Sequence, residues 1–223
     1  MRKSLLLAAT LAASAMLVLA PAGAALAAPR SDVLTTVKVG GPNVKARDVL
    51  QAGLKARTVL RFTQVGVAHP ISLTCARSTF TSKVTANPPH PGTAVMLLTG
   101  QTVTACRANT TLVRSVTVTV TKLPRKVTIS DARGFPVTVF GPTAVLRIVP
   151  APSTKIKPFS CIYSARTIKG NASNIGSLIS FKKQVFTVQK GSGILCPKQG
   201  ALTVTYGPVV DLSVVHHPRV FVN

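Results

Sequence analysis

The side chains best suited to do chemistry in this 223-residue chain are four cysteines, and their spacing repeats. Leu60, within Val59-Leu60-Arg61-Phe62, lies fifteen residues before Cys75. Leu146, within Val145-Leu146-Arg147-Ile148, lies fifteen before Cys161, so both landmarks recur at an offset of 86. A second cysteine follows each, 31 residues on at Cys106 and 35 on at Cys196. Zinc-binding cysteines come in C-x-x-C-type clusters, and no gap here is shorter than 31 residues, so no metal site is expected. A catalytic thiol would leave an odd partner. Oxidation remains. The repeat selects Cys75–Cys106 and Cys161–Cys196, one bridge per copy, among the possible pairings. Closing loops of that length stabilises each copy by roughly 3–4 kcal/mol in the chain-entropy picture.

Little else could support catalysis. A glycosidase needs two carboxylates flanking the scissile bond, but the chain has no glutamate and only Asp32, Asp48, Asp131 and Asp211. Two of these fall in the N-terminal segment, and Asp131 and Asp211 occupy non-matching repeat positions. No G-x-S-x-G elbow, H-E-x-x-H helix or phosphate-binding loop occurs. Lys190-Gly191-Ser192-Gly193 reads as a hairpin loop. His216-His217 is the one suggestive cluster, but neighbours on a strand point to opposite faces, so an exposed pair is expected there rather than a metal site. Asp211 and His216 could join a serine in a triad, yet nothing selects a nucleophile. The expectation is no catalytic residue and no cofactor.

The elements that carry these residues are strands. Ser115-Val116-Thr117-Val118-Thr119-Val120-Thr121 alternates strictly, and Val137-Thr138-Val139-Phe140 and Leu202-Thr203-Val204-Thr205-Tyr206 behave alike. Period-two alternation of β-branched residues marks a half-buried strand. Turn chemistry separates the runs at Asn87-Pro88-Pro89-His90-Pro91-Gly92 and Arg133-Gly134-Phe135-Pro136. Only Val44 to Arg57 has helical spacing, in Val49, Leu50 and Leu54. The fold expected is all-β and antiparallel, with two tandem sandwich-like modules from the internal repeat at 58–142 and 143–223, each with one disulfide, behind an N-terminal segment at 28–57. Residues 1–27 read as a secretory signal: Arg2 and Lys3, an apolar run from Leu5 to Ala20, then Ala25-Leu26-Ala27. That run is shorter than the roughly 20 residues needed to span a membrane. The mature chain is therefore expected to start at Ala28, run 196 residues and be secreted, with no transmembrane segment.

Gly40-Gly41-Pro42-Asn43-Val44, Asn87-Pro88 with Pro91-Gly92-Thr93-Ala94, and Leu98-Thr99-Gly100-Gln101-Thr102 before Cys106 resemble segments of small secreted actinobacterial proteins. Cys161-Ile162-Tyr163 and Tyr206-Gly207-Pro208-Val209 extend the likeness to the second half. Those proteins are known as "Tat pathway signal sequence domain protein" and have no assigned activity. The resemblance implies secretion and a β fold, and no motif in it is catalytic. This chain departs from it in lacking a clear twin-arginine motif at Arg2-Lys3 and in being far more basic.

The whole chain carries a formal charge of +23. Setting aside Arg2 and Lys3 leaves 25 cations against four aspartates, a net of +21. Charge of that size repels itself and attracts polyanions. Candidate anion-binding residues are Arg125-Lys126, Lys155 with Lys157 on an expected strand, and Lys182-Lys183. The chain has no tryptophan and two tyrosines, too few aromatic platforms for base or sugar stacking. The function expected is a secreted, non-enzymatic basic β protein on an anionic polymer such as teichoic acid, acidic polysaccharide or, without sequence preference, DNA. Two other readings stand beside it. One is an antagonist or inhibitor of another cell's envelope or enzyme, acting through a loop such as Asn87 to Gly92; the other is a hydrolase with an unrecognised site.

Overall fold

The computed structural model describes residues 30–223; the expected signal, Met1–Ala27, lies outside the described residues. Fifteen strands follow one another: β1 (Leu34–Thr36), β2 (Val49–Gly53), β3 (Leu60–Gln64), β4 (Ser72–Ala86), β5 (Thr93–Ala108), β6 (Val113–Thr121), β7 (Arg125–Ser130), β8 (Pro136–Phe140), β9 (Thr143–Pro150), β10 (Phe159–Ser164), β11 (Thr167–Ser173), β12 (Leu178–Val188), β13 (Gln199–Tyr206), β14 (Val210–Asp211) and β15 (Val220–Val222). The one helical piece among the described residues is a 3-10 turn at Pro152–Thr154. No helix among them is long and apolar enough to cross a membrane. Every strand pairing is antiparallel. The alternation in the sequence is realised directly: in β6 Val116, Val118 and Val120 are half-buried while Ser115, Thr117 and Thr119 are exposed, and in β8 Val137 and Val139 are buried.

The two-sandwich expectation is replaced by one closed barrel. Its eight strands run β3–β4–β5–β7–β8–β11–β12–β13 and back to β3. Closure comes from β11 meeting β12 through Asn171–Ser180, Ala172–Ile179 and Ser173–Leu178. Beyond β11, the same edge of β12 takes β10 at Tyr163–Val188. From there β10, β9 and β6 form a three-stranded panel. Val118, Val120, Ala144, Leu146 and Tyr163 of this panel line the barrel's cavity. β1 and β15 tie the two ends of the described chain together as a separate ribbon.

The repeat is present, but its copies exchange strands. Leu60 sits opposite Cys75 and Leu146 opposite Cys161, so the shared spacing encodes two equivalent hairpins, β3–β4 and β9–β10. Yet β3 does not pair with a late strand of its own half. It pairs with β13, while β9 pairs with β6. The registers agree: Phe62 faces Leu202 and Ile148 faces Val116, so one partner moves up by 86 (62 to 148) as the other moves down by 86 (202 to 116). At the same offset of 86, β8 is the counterpart of β2, so the copies begin at these strands rather than at 58 and 143; the next pair is then exchanged too, β14 joining β2 and β7 joining β8. The expected boundary between Pro142 and Thr143 falls between β8 and β9, inside one sheet. Symmetry breaks at β5, whose Thr93–Leu98 stretch pairs with β7, whereas its counterpart β12 pairs with β13.

Both disulfides form as expected. Cys75 and Cys106 face each other across β4 and β5, whereas Cys196 lies in the loop after β12 and reaches Cys161 on β10. Two local expectations fail. The stretch with helical spacing is a turn followed by β2, because Leu50 and Ala52 enter the core while the backbone pairs with β4 and β14. Lys155 and Lys157 are not on a strand. Lys155 adopts φ 56° after the 3-10 turn, and β10 starts only at Phe159, after Pro158.

The exchanged β3–β13 contact is tight at one point: a Cβ on Gly200 would meet the Phe62 ring. Gly200→Ala should cost about 1–3 kcal/mol by overpacking, read as a lower denaturation midpoint. Adding Phe62→Leu should recover part of that loss. A Gly200→Ala chain as stable as wild type would contradict the packing.

Candidate binding site

The barrel interior is built by inward-facing residues of alternating strands, and eight strands leave space that side chains either fill or share with one small ligand. Here a cavity of about 130 Å³ remains. Its wall is largely aliphatic and aromatic, with Leu98, Val103, Val127, Ile179 and Phe181 among the lining residues. Phe62 contributes as well, packed edge-on against Tyr163 and Phe186 with ring centroids 5.1 and 6.1 Å away.

Most of the polar groups in this wall have hydrogen-bond partners. Gln101 Nε2 donates to the Tyr206 hydroxyl at 2.9 Å. Tyr206 shares a 2.9 Å bond with Ser78, and Ser78 Oγ donates to the Thr102 carbonyl. Burial pushes the Tyr206 phenol up from its ordinary pKa, with the bonds to Ser78 and Gln101 pulling the other way. Tyr163 donates to the Pro197 carbonyl at 2.9 Å, and burial pushes its pKa up to about 12. Thr143 Oγ1 donates to the Gly141 carbonyl.

Arg125 is the exception. It opens β7 on the same face as the buried Val127 and Ile129, so its side chain joins the cavity lining. Its Nε is buried and has no hydrogen-bond partner. A Cβ on Gly141 would stand 3.1 Å from its Nη1, so the guanidinium lies over bare backbone there. Among the described residues only Asp211 Oδ2 shares this state of a buried, unpartnered side-chain polar atom.

The other expected anion-binding residues sit elsewhere. Lys126 points out of the barrel, its ammonium 5.6 Å from the Phe140 ring centroid in cation–π range. Arg125 and Lys126, adjacent in sequence, therefore serve opposite faces of β7. Lys83 is opposite Leu97, which is in turn opposite Lys126. Lys169 lies on β11 opposite Thr138. Lys182 and Lys183 occupy the irregularity of β12 between Phe181 and Gln184, where the Lys183 N–H donates to Thr203 Oγ1 at 3.1 Å. Lys155 and Lys157 are exposed on the loop before β10. Exposed lysines thus stand on β4, β7, β11 and β12, spread around the outside of the barrel.

The aspartates are occupied with backbone instead. Asp131 Oδ2 accepts the Gly92 N–H and contacts His90 Nδ1, both at 2.7 Å. Together with the Asn87 amide, which bonds the Leu34 and Val44 carbonyls, this pins the Asn87–Gly92 loop. Asp48 Oδ2 accepts the Lys45 N–H, and Asp211 Oδ1 accepts the Ser213 N–H. Asp48 lies in the N-terminal segment in sequence, yet the β2–β14 pairing brings it beside Asp211. Asp131 and Asp211 are not brought together as a carboxylate pair by any contact. His216 and His217 are exposed in a turn, both at positive φ. No group of three or more metal-ligating side chains exists among the described residues.

No family model matches the chain, and no curated protein or solved structure is significantly similar to it.

Burial raises the Asp211 pKa above its ordinary value; the Ser213 N–H lowers it and the neighbouring Asp48 charge raises it further. A folded-state pKa above the unfolded one means the native state holds its proton more tightly. The penalty is thus absent below the unfolded pKa of 3.8 and grows as pH rises through the folded value. Asp211→Asn should therefore raise the melting temperature at pH 7, with the difference from wild type closing below about pH 4. Equal melting temperatures at pH 7 would contradict this reading of the buried carboxyl.

Proposed function

We propose that this is a secreted, non-enzymatic basic barrel protein that binds an anionic cell-envelope or extracellular polymer by distributed charge. One observation carries the reading. The described residues contain 25 lysines and arginines, and the one side-chain ion pair among them is His90–Asp131. The cations are left without internal counter-charge, and Lys83, Lys126, Lys169 and Lys182 are exposed on four different strands around the outside of the barrel. A field of one sign over a rigid surface suits a flexible polyanion, which needs no shaped pocket. Two disulfides accord with an oxidising compartment, as does the resemblance to secreted proteins.

The test is co-sedimentation of the mature protein with purified cell walls, with and without teichoic acid, across a salt series. Binding should require the anionic polymer and fall steeply as salt rises. Replacing Lys126, Lys169 and Lys182 together by glutamine should weaken it on the order of a hundredfold at low salt. Salt-independent binding, or none at low salt, would refute the proposal.

A further inference from the structure

The cavity and Arg125 together point past surface adhesion. The Arg125 Nε is removed from water without an acceptor, although the side chain as a whole is only partly buried; a buried cationic donor is costly, and the usual remedy is a paired anion. The chain supplies none. The described residues contain four carboxylate side chains; three of them accept backbone N–H groups, on Lys45, Gly92 and Ser213, and none pairs with an arginine. Of the other polar residues lining the space, Gln101, Thr143, Tyr163 and Tyr206 have side-chain partners, and Ser82 adds one neutral hydroxyl. What the wall offers a visitor is one cationic N–H donor beside an apolar hollow.

We infer that the barrel interior is a binding site for a small apolar carboxylate, whose hydrocarbon fills the 130 Å³ cavity while its carboxylate accepts hydrogen bonds from Arg125. The volume sets the size. A dry cavity of about 150 Å³ lined by Leu, Ile and Phe holds a benzene molecule, so the apolar part here is a short chain or single ring rather than a long acyl tail. The chemistry sets the charge. Arginine presents a planar donor fork that matches a carboxylate, and the low-dielectric surroundings strengthen that bond relative to water. An amine would be repelled and an alcohol would leave the cation unpaired. The site is distinct from the outer lysines, since Arg125 faces the interior and Lys126 the exterior.

The experiment is titration of the mature protein with hexanoate, hexanol, hexylamine and acetate, following methyl NMR signals of Leu98 and Val127 together with calorimetric stoichiometry. Hexanoate should bind one to one and shift these interior methyls, with hexanol at least about tenfold weaker and hexylamine and acetate weaker still. Arg125→Met keeps the aliphatic stem and should abolish the preference for acid over alcohol. Ala144→Leu fills the cavity from the panel side and should weaken both ligands. Should Arg125→Met not fold, the comparison of hexanoate with hexanol on the wild-type chain decides the matter alone. Equal affinity for acid and alcohol would overturn the role of Arg125. Unmoved interior methyls, or binding shared by acetate with many sites per chain, would overturn the cavity site and leave only the surface field. Failure of cell-wall binding would leave this inference untouched.

Discussion

Everything in this molecule rests on how strand edges are satisfied. An unpaired edge exposes a row of N–H and C=O groups, which costs free energy when buried and invites association when exposed. Each repeat leaves its early strands, β2 and β3 in one and β8 and β9 in the other, with one edge that no strand of the same repeat covers. The other repeat's late strands supply the pairing, β14 and β13 on one side and β7 and β6 on the other. Neither half can satisfy its own edges. Reciprocal exchange makes the 30–223 segment one cooperative object, despite halves that look separable in sequence.

Closure then follows from where the symmetry fails. Pairing β5 with β7 rather than β6 shortens the path around the sheet to eight strands and frees β6 for the panel with β9 and β10. An eight-stranded barrel is close to the size that its own side chains can fill. Glycine at position 200 lets the Phe62 ring lie against β13, and Phe80 packs edge-on to Tyr206 with centroids 5.1 Å apart. The filling stops short of completion. The remaining hollow is bounded partly by the panel, so the same asymmetry that closes the barrel also shapes its cavity.

Charge obeys a different economy. Three of the four aspartates accept backbone N–H groups in turns, and so contribute local geometry rather than neutralisation. The lysines stay on the outside, where water solvates them at little cost. Arg125 and Asp211 break this pattern, since each buries an unpartnered polar atom. Such atoms destabilise the fold unless something complements them, which is why they are the places to look for function in a chain with no catalytic motif.

The sequence by itself determined the local physics. Valine–threonine alternation specified β6, β8 and β13, because a pleated strand sorts side chains onto two faces. Repeated spacing to cysteine specified two equivalent hairpins and both disulfide pairings. Composition determined the unpaired charge. The stretch from Val44 to Arg57 misled because Val49, Leu50 and Leu54 mimic helical spacing, while the pairing that makes β2 a strand lies thirty residues away on β4. Which edge meets which was decided only in three dimensions: backbone donors and acceptors are chemically alike on every strand, so local sequence does not distinguish a partner in the same repeat from one in the other. The inward turn of Arg125 was likewise invisible in the chain. Its parity with Val127 and Ile129 was readable, but that this face would be the inside of a closed barrel, with a hollow beside it, depended on eight strands meeting.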